Sequence, residues 1–128
     1  MNPLTIEWVT KAEGDFHTAV RELRARKSPN FDAVCFHSQQ CAEKYLKAIL
    51  QENEKQIPKN HNLIALLELC LVVDSTLELM RTDLIVLERY AVRFRYPGVT
   101  SDKGEARNAT SSVKVFRKFI RPKLGLKG

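Results

Sequence analysis

Between Phe31 and Ile57 the chain runs without a glycine or proline, and this stretch narrows the possible folds more than any other. Ala, Leu, Lys, Glu and Gln dominate it, residues with high intrinsic helix propensity. Apolar or small residues fall at Phe31, Val34, Cys35, Ser38, Cys41, Ala42, Tyr45, Leu46 and Ile49. That spacing follows the i, i+3, i+4, i+7 rule, so these residues line one face of a helix. Asp32, Gln39, Gln40, Glu43, Lys44 and Lys47 fall on the other face and read as exposed. A helix this long, with so wide an apolar stripe, is a strut against which others pack.

The remaining chain supplies those others. Asn2-Pro3 starts a first helix, because Asn caps and Pro is favoured in the first turn. Its stripe is Ile6, Val9, Ala12, Phe16, Ala19 or Val20, and Leu23, and the breaker Ser28-Pro29-Asn30 ends it near Arg26. Asn30 caps the second helix, which runs to about Glu54. A third, shorter helix follows Asn60-His61-Asn62, with Leu63, Leu66, Leu67, Cys70 and Leu71 inward. A buried strand is the competing reading for LIALLELCLVV, but Leu and Ala outnumber β-branched residues there. Ser75-Thr76-Leu77-Glu78 has capping-box spacing and starts helix four, which buries Met80, Leu84, Leu87, Ala91 and Phe94 and stops at Tyr96-Pro97-Gly98. Asp102 to Glu105 repeats that spacing before a fifth stripe of Ala106, Ala109, Val113, Phe116 and Ile120. Five amphipathic helices with short connections predict an all-α, antiparallel up-and-down bundle in one domain, residues 1–128.

Charge is unevenly distributed along this bundle. From Arg89 onward, eleven Lys and Arg stand against Asp102 and Glu105, a balance of +9; earlier residues carry ten basic and thirteen acidic side chains, a balance of −3. Such a basic region attracts phosphate, nucleic acid or an acidic partner, or serves as a solvated surface. No apolar run approaches the ~18 residues of a membrane span, and the N-terminus lacks signal-peptide character. Cys35, Cys41 and Cys70 all lie in helical apolar patterns, which predicts core thiols and a reducing cytoplasm rather than a disulfide framework.

Few constellations carry chemistry. His37 and Cys41 share a helix face, but two ligands make no zinc site, so no metal is expected, and no motif implies a cofactor. Gly-rich phosphate loops, nucleophile elbows and Cys-x-x-Cys pairs are missing from the sequence. The strongest candidate is Arg89, Arg93, Arg95 and Tyr96. Arg89 and Arg93 are four apart on one helical face, and clustered guanidiniums repel unless an anion or acid lies among them. Arg offers a fork of donors matched to phosphate, and Tyr can stack on a base or donate its hydroxyl. The alternative is that these arginines offset a helix dipole and bond its last carbonyls.

The string from Gln39 to Leu50, QQCAEKYLKAIL, resembles the signature of HEPN domains, a Gln-Gln-x-x-Glu-Lys-x-x-Lys-Ala helix in the middle of an all-helical bundle. The similarity extends to Ala12, Asp15 and Phe16, to His61-Asn62-Leu63, and to Tyr90 with Arg95-Tyr96-Pro97. It implies a bundle that usually forms a homodimer and often accompanies a minimal nucleotidyltransferase. Some members are RNA-cleaving toxins, and these carry an Arg followed after four to six residues by a His. That motif is missing here: none of His17, His37 and His61 stands five to seven positions after an Arg. In the register used by toxins paired with a transferase, where a nearby Tyr can be adenylylated, Arg89, Phe94 and Tyr96 occupy the Arg, His and Tyr positions. Phe cannot move a proton. The resemblance therefore implies a non-catalytic HEPN protein that binds a nucleotide, partners a nucleotidyltransferase in a toxin–antitoxin-like module, or both. The alternative is a metal-independent endoribonuclease toxin with an atypical site and an RNA substrate. Arg89, Arg93, Arg95 and Tyr96 are then the anion-facing set, with Gln40, Glu43, Lys44 and Lys47 as a supporting or dimer surface.

Overall fold

A computed structural model describes residues 1–91 and 97–128. Among them are five α-helices: α1 (Pro3–Arg24), α2 (Phe31–Glu52), α3 (Leu63–Leu71), α4 (Arg81–Glu88) and α5 (Lys103–Ile120). The described residues contain no strand, so LIALLELCLVV is helical as its Leu content indicates. Helix α2 is the axis of the bundle and packs against each of the other four helices.

The helix ends follow local chemistry. The Asn2 side chain accepts from the Thr5 N–H at 2.8 Å, and Pro3 occupies the first turn. Asn2 also donates to Glu52 Oε1 (3.0 Å) and to the Gln51 carbonyl (3.2 Å), tying the start of α1 to the end of α2. Helix α2 closes with Glu54 at φ 53°, its N–H on the Gln51 carbonyl (3.2 Å) and the Lys55 N–H on the Leu50 carbonyl (2.9 Å). These are the bonds of a Schellman motif, formed here without glycine. Asn62 caps α3 through the Ala65 N–H, and the expected capping box of Asp102 and Glu105 opens α5.

Three expectations need correction. The box at Ser75 to Glu78 does not form; Asp74 is the cap, and it starts a 3₁₀ segment, Ser75–Met80, that leads into α4. Helix α4 ends at Glu88 rather than continuing to Phe94. The Tyr90 and Ala91 N–H groups bond carbonyls three residues back, the tightened geometry of a final turn, and Tyr90 enters the core while Ala91 stays half-buried. Phe94 lies outside the described residues. On α1, Ile6 is 48% exposed and the buried row is Thr5, Val9, Ala12, Asp15 and Ala19, one residue out of register with the expected start of the stripe.

The core is filled by Tyr45, Leu46 and Leu50 of α2 with Leu63, Leu66, Leu67, Leu77, Leu84, Leu87, Phe116 and Ile120. No described helix is long and apolar enough to cross a membrane.

Candidate functional site

Because α2 is enclosed by its neighbours, its polar face is not a solvent face. Gln39 is fully buried, and Glu43 and Lys47 are 3% and 5% exposed. The reading of these residues as an exposed row is thus overturned, for a physical reason. Positions 39, 43 and 47 are successive i, i+4 neighbours, and the loop leading into α3 covers them on one side. Trp8 of α1 covers Lys47, whose Nζ lies 5.6 Å from the indole centroid.

A buried carboxylate is tolerated only with donors around it. Glu43 has four. Lys47 Nζ stands 3.2 Å and His61 Nδ1 3.0 Å from its Oε2, while Gln39 and Gln40 Nε2 donate to its Oε1 at 3.4 Å each. Gln40 also donates to Gln39 Oε1 (2.7 Å), and Gln39 to the His61 carbonyl (3.3 Å). His61 is held through both its backbone and its ring, yet its side chain is 74% exposed. A carboxylate only accepts, so Nδ1 carries the hydrogen and Nε2 is presented outward.

The end of α4 lies beside this histidine. Glu88 accepts the Leu63 N–H at 2.8 Å, joining the C-terminus of α4 to the N-terminus of α3. Burial raises the Glu88 pKa; the Leu63 hydrogen bond opposes the shift and the nearby Glu43 charge adds to it. Arg89 follows immediately, exposed at the helix C-cap. One member of the anion-facing set is thereby placed at the same end of the bundle as His61; Arg93, Arg95 and Tyr96 lie outside the described residues.

Lys44 belongs elsewhere. It pairs with Asp15 of α1, whose other oxygen meets His37 Nδ1 at 2.7 Å. Beyond it, Glu13 receives a fork of bonds from Arg117 (2.8 and 2.6 Å) and one from the Tyr45 hydroxyl, which in turn accepts from Arg121 at 2.9 Å. Burial pushes the Glu13 pKa up, but the hydrogen bonds from Arg117 and Tyr45 and the two guanidinium charges outweigh it and hold the carboxyl below its usual range. Burial, then the Glu13 hydrogen bond, push the Tyr45 phenol upward. Lys123 pairs with Asp74 (2.8 Å), whose pKa falls to about 2, chiefly through that hydrogen bond. Three of the eleven C-terminal basic residues, Arg117, Arg121 and Lys123, are therefore bound by acids from the first three quarters of the chain.

His37 and Cys41 do not converge on a common point, since His37 faces Asp15 and Cys41 is wholly buried, its thiol pushed well up by burial. All three cysteines are free and buried, as the apolar patterns predict. The His61–Glu43 pairing was missed by sequence reasoning, which weighed histidines by metal-ligand spacing and by distance from a preceding Arg. The available signal was the Gln39-Glu43-Lys47 row itself, polar residues aligned on the helix with most neighbours to satisfy.

The described residues form an all-helical bundle built round one central helix, with a histidine held by that helix's buried carboxylate. A family model described as HEPN domain matches residues 5–123, and the chain belongs to that family. No curated protein and no solved structure matches it. The HEPN family is associated with nucleotide- and RNA-related functions, and its members often dimerise and pair with other proteins.

Proposed function

We propose that this protein is a non-catalytic HEPN partner protein that binds a nucleotide through its phosphates, works with a minimal nucleotidyltransferase in a two-gene module of the toxin–antitoxin type, and acts in the cytoplasm as a homodimer. The observation that carries the proposal is the end of the bundle where Arg89 is exposed just after Glu88, which bonds the Leu63 N–H two residues past His61, whose exposed ring is held by buried Glu43. Arg93, Arg95 and Tyr96 follow within seven residues of Arg89 in the sequence, and a guanidinium group matches phosphate in shape and charge. The absence of a His five to seven positions after any Arg favours binding over cleavage. A calorimetric screen of nucleoside mono-, di- and triphosphates, with co-purification of a co-expressed nucleotidyltransferase, tests the proposal. Binding of neither would end it.

One observation supports the second reading, an endoribonuclease with an atypical site. An exposed histidine oriented by a buried carboxylate is the arrangement a general base requires. Metal-free cleavage of transfer RNA by the wild type, lost in His61→Ala, would favour that reading; intact RNA and unaffected growth on induction would reject it.

A further inference from the structure

The seven basic residues from Lys103 to Lys123 separate into two groups. Arg117, Arg121 and Lys123 are bound by Glu13, Tyr45 and Asp74. Lys103, Arg107, Lys114 and Lys118 are exposed and have no hydrogen-bond or ion-pair partner among the described residues. At 3.6 residues per turn these four lie within about 60° of arc on α5, and at 1.5 Å per residue they extend over about 22 Å. The α5 positions that fall within that arc are these four alone, so no acid interrupts the line. Asp102 and Glu105 are occupied in the capping box at the helix start.

We infer that this face of α5 docks the phosphate backbone of a base-paired nucleic acid. A line of unpaired cations is complementary to a line of phosphates, whose neutralisation releases counterions. The face offers neither an apolar anchor nor an aromatic platform along the line; Ser111 borders it, and Val115 and Asn108 lie further round on the same side. Protein interfaces centre on apolar and aromatic anchors and deplete lysine. Unpaired strands are held by aromatic stacking. A double helix, with bases already stacked and phosphates outward, needs neither. The inference rests on residues of α5 that the nucleotide proposal does not use and does not depend on that proposal.

The test is fluorescence anisotropy of a labelled RNA hairpin of about twelve base pairs, titrated with the wild type and with the quadruple variant Lys103→Gln/Arg107→Gln/Lys114→Gln/Lys118→Gln, across a salt series. Four phosphate contacts correspond to a slope of about −3.6 in log affinity against log salt. The wild type should bind the hairpin with at least that dependence. The variant should lose at least tenfold in affinity near 0.1 M salt and about 3.6 from the slope, with an unchanged melting temperature. ATP calorimetry on the same two proteins reports the other site separately, and its result should be identical for both. No binding of the hairpin by the wild type, an unchanged slope in the variant, or tighter binding of an oligouridylate of equal phosphate number would each overturn the inference.

Discussion

Replacing Glu43 with Ala tests how the polar row of α2 is held. Lys47 is 5% exposed and its ammonium is 3.2 Å from Glu43, so the substitution leaves a buried cation without its counter-charge. Removing one partner of a buried ion pair costs about 3–5 kcal/mol, a large share of the roughly 5–15 kcal/mol that holds a domain folded. With a urea slope of about 2 kcal/mol per molar, the unfolding midpoint should fall by about 2 M. Lys47→Met alone should cost less, because Glu43 keeps its donors from His61, Gln39 and Gln40. Glu43→Leu combined with Lys47→Met removes both charges and should cost much less than the sum of Glu43→Leu and Lys47→Met measured singly, giving a strongly non-additive cycle. Urea unfolding followed by far-ultraviolet circular dichroism measures all of these. A Glu43→Ala midpoint shift under about 0.5 M, or strict additivity in the cycle, would refute a buried ion pair at this position.

Other perturbations follow from the same structure. Glu54 holds a left-handed conformation at φ 53°, so Glu54→Gly should stabilise by about 0.5–1 kcal/mol in thermal or urea unfolding, and a loss of stability would contradict the Schellman assignment. Tyr45→Phe removes the hydroxyl shared by Glu13 and Arg121 and should cost about 1–2 kcal/mol in the same assay. The Glu13 pKa is lowered in the fold, so its contribution is present above the ordinary carboxylate value of 4.5 and is lost as pH falls through the depressed value. Glu13→Gln should therefore flatten the acid limb of a stability–pH profile below that value, and an unaltered limb would argue against the Arg117 fork. Burial pushes the Cys70 thiol up to about 12 and also raises the Cys41 thiol well above its ordinary value, so a thiol reagent should label neither in the native protein near pH 8 and both after unfolding.

The helices were legible because their signals are local. Asn2, Asn30 and Asp102 each cap the helix that the sequence assigns to them. The exposure of α2 was not legible, because a helical wheel presumes one packed face and one wet face. Helix α2 has neighbours all round, and its Gln39, Glu43 and Lys47 are satisfied by one another and by a loop whose path no local rule predicts. The early end of α4 was hidden for a related reason. Leu84, Leu87 and Ala91 continue a helical period, but Tyr90 is drawn into the core just past Glu88, where the backbone tightens. The separation of Lys44 from Glu43 also depends on tertiary structure, since Asp15 on α1 captures the one and His61 before α3 the other.

The central claim is that the end of the bundle carrying His61 and Arg89 binds phosphate. Calorimetric titration of ATP into the wild type, Arg89→Ala and His61→Ala tests it most directly. A charge-assisted hydrogen bond contributes about 1.5–3 kcal/mol, so Arg89→Ala should weaken binding by roughly 10- to 100-fold, and His61→Ala, which removes the ring beside the site, by a smaller factor, while the melting temperature stays within a few degrees. His61→Ala leaves Glu43 its contacts with Lys47, Gln39 and Gln40, so a folding defect is not the expected cause of any loss. ATP binding by the wild type that neither substitution weakens would contradict the claim, as would no binding at all.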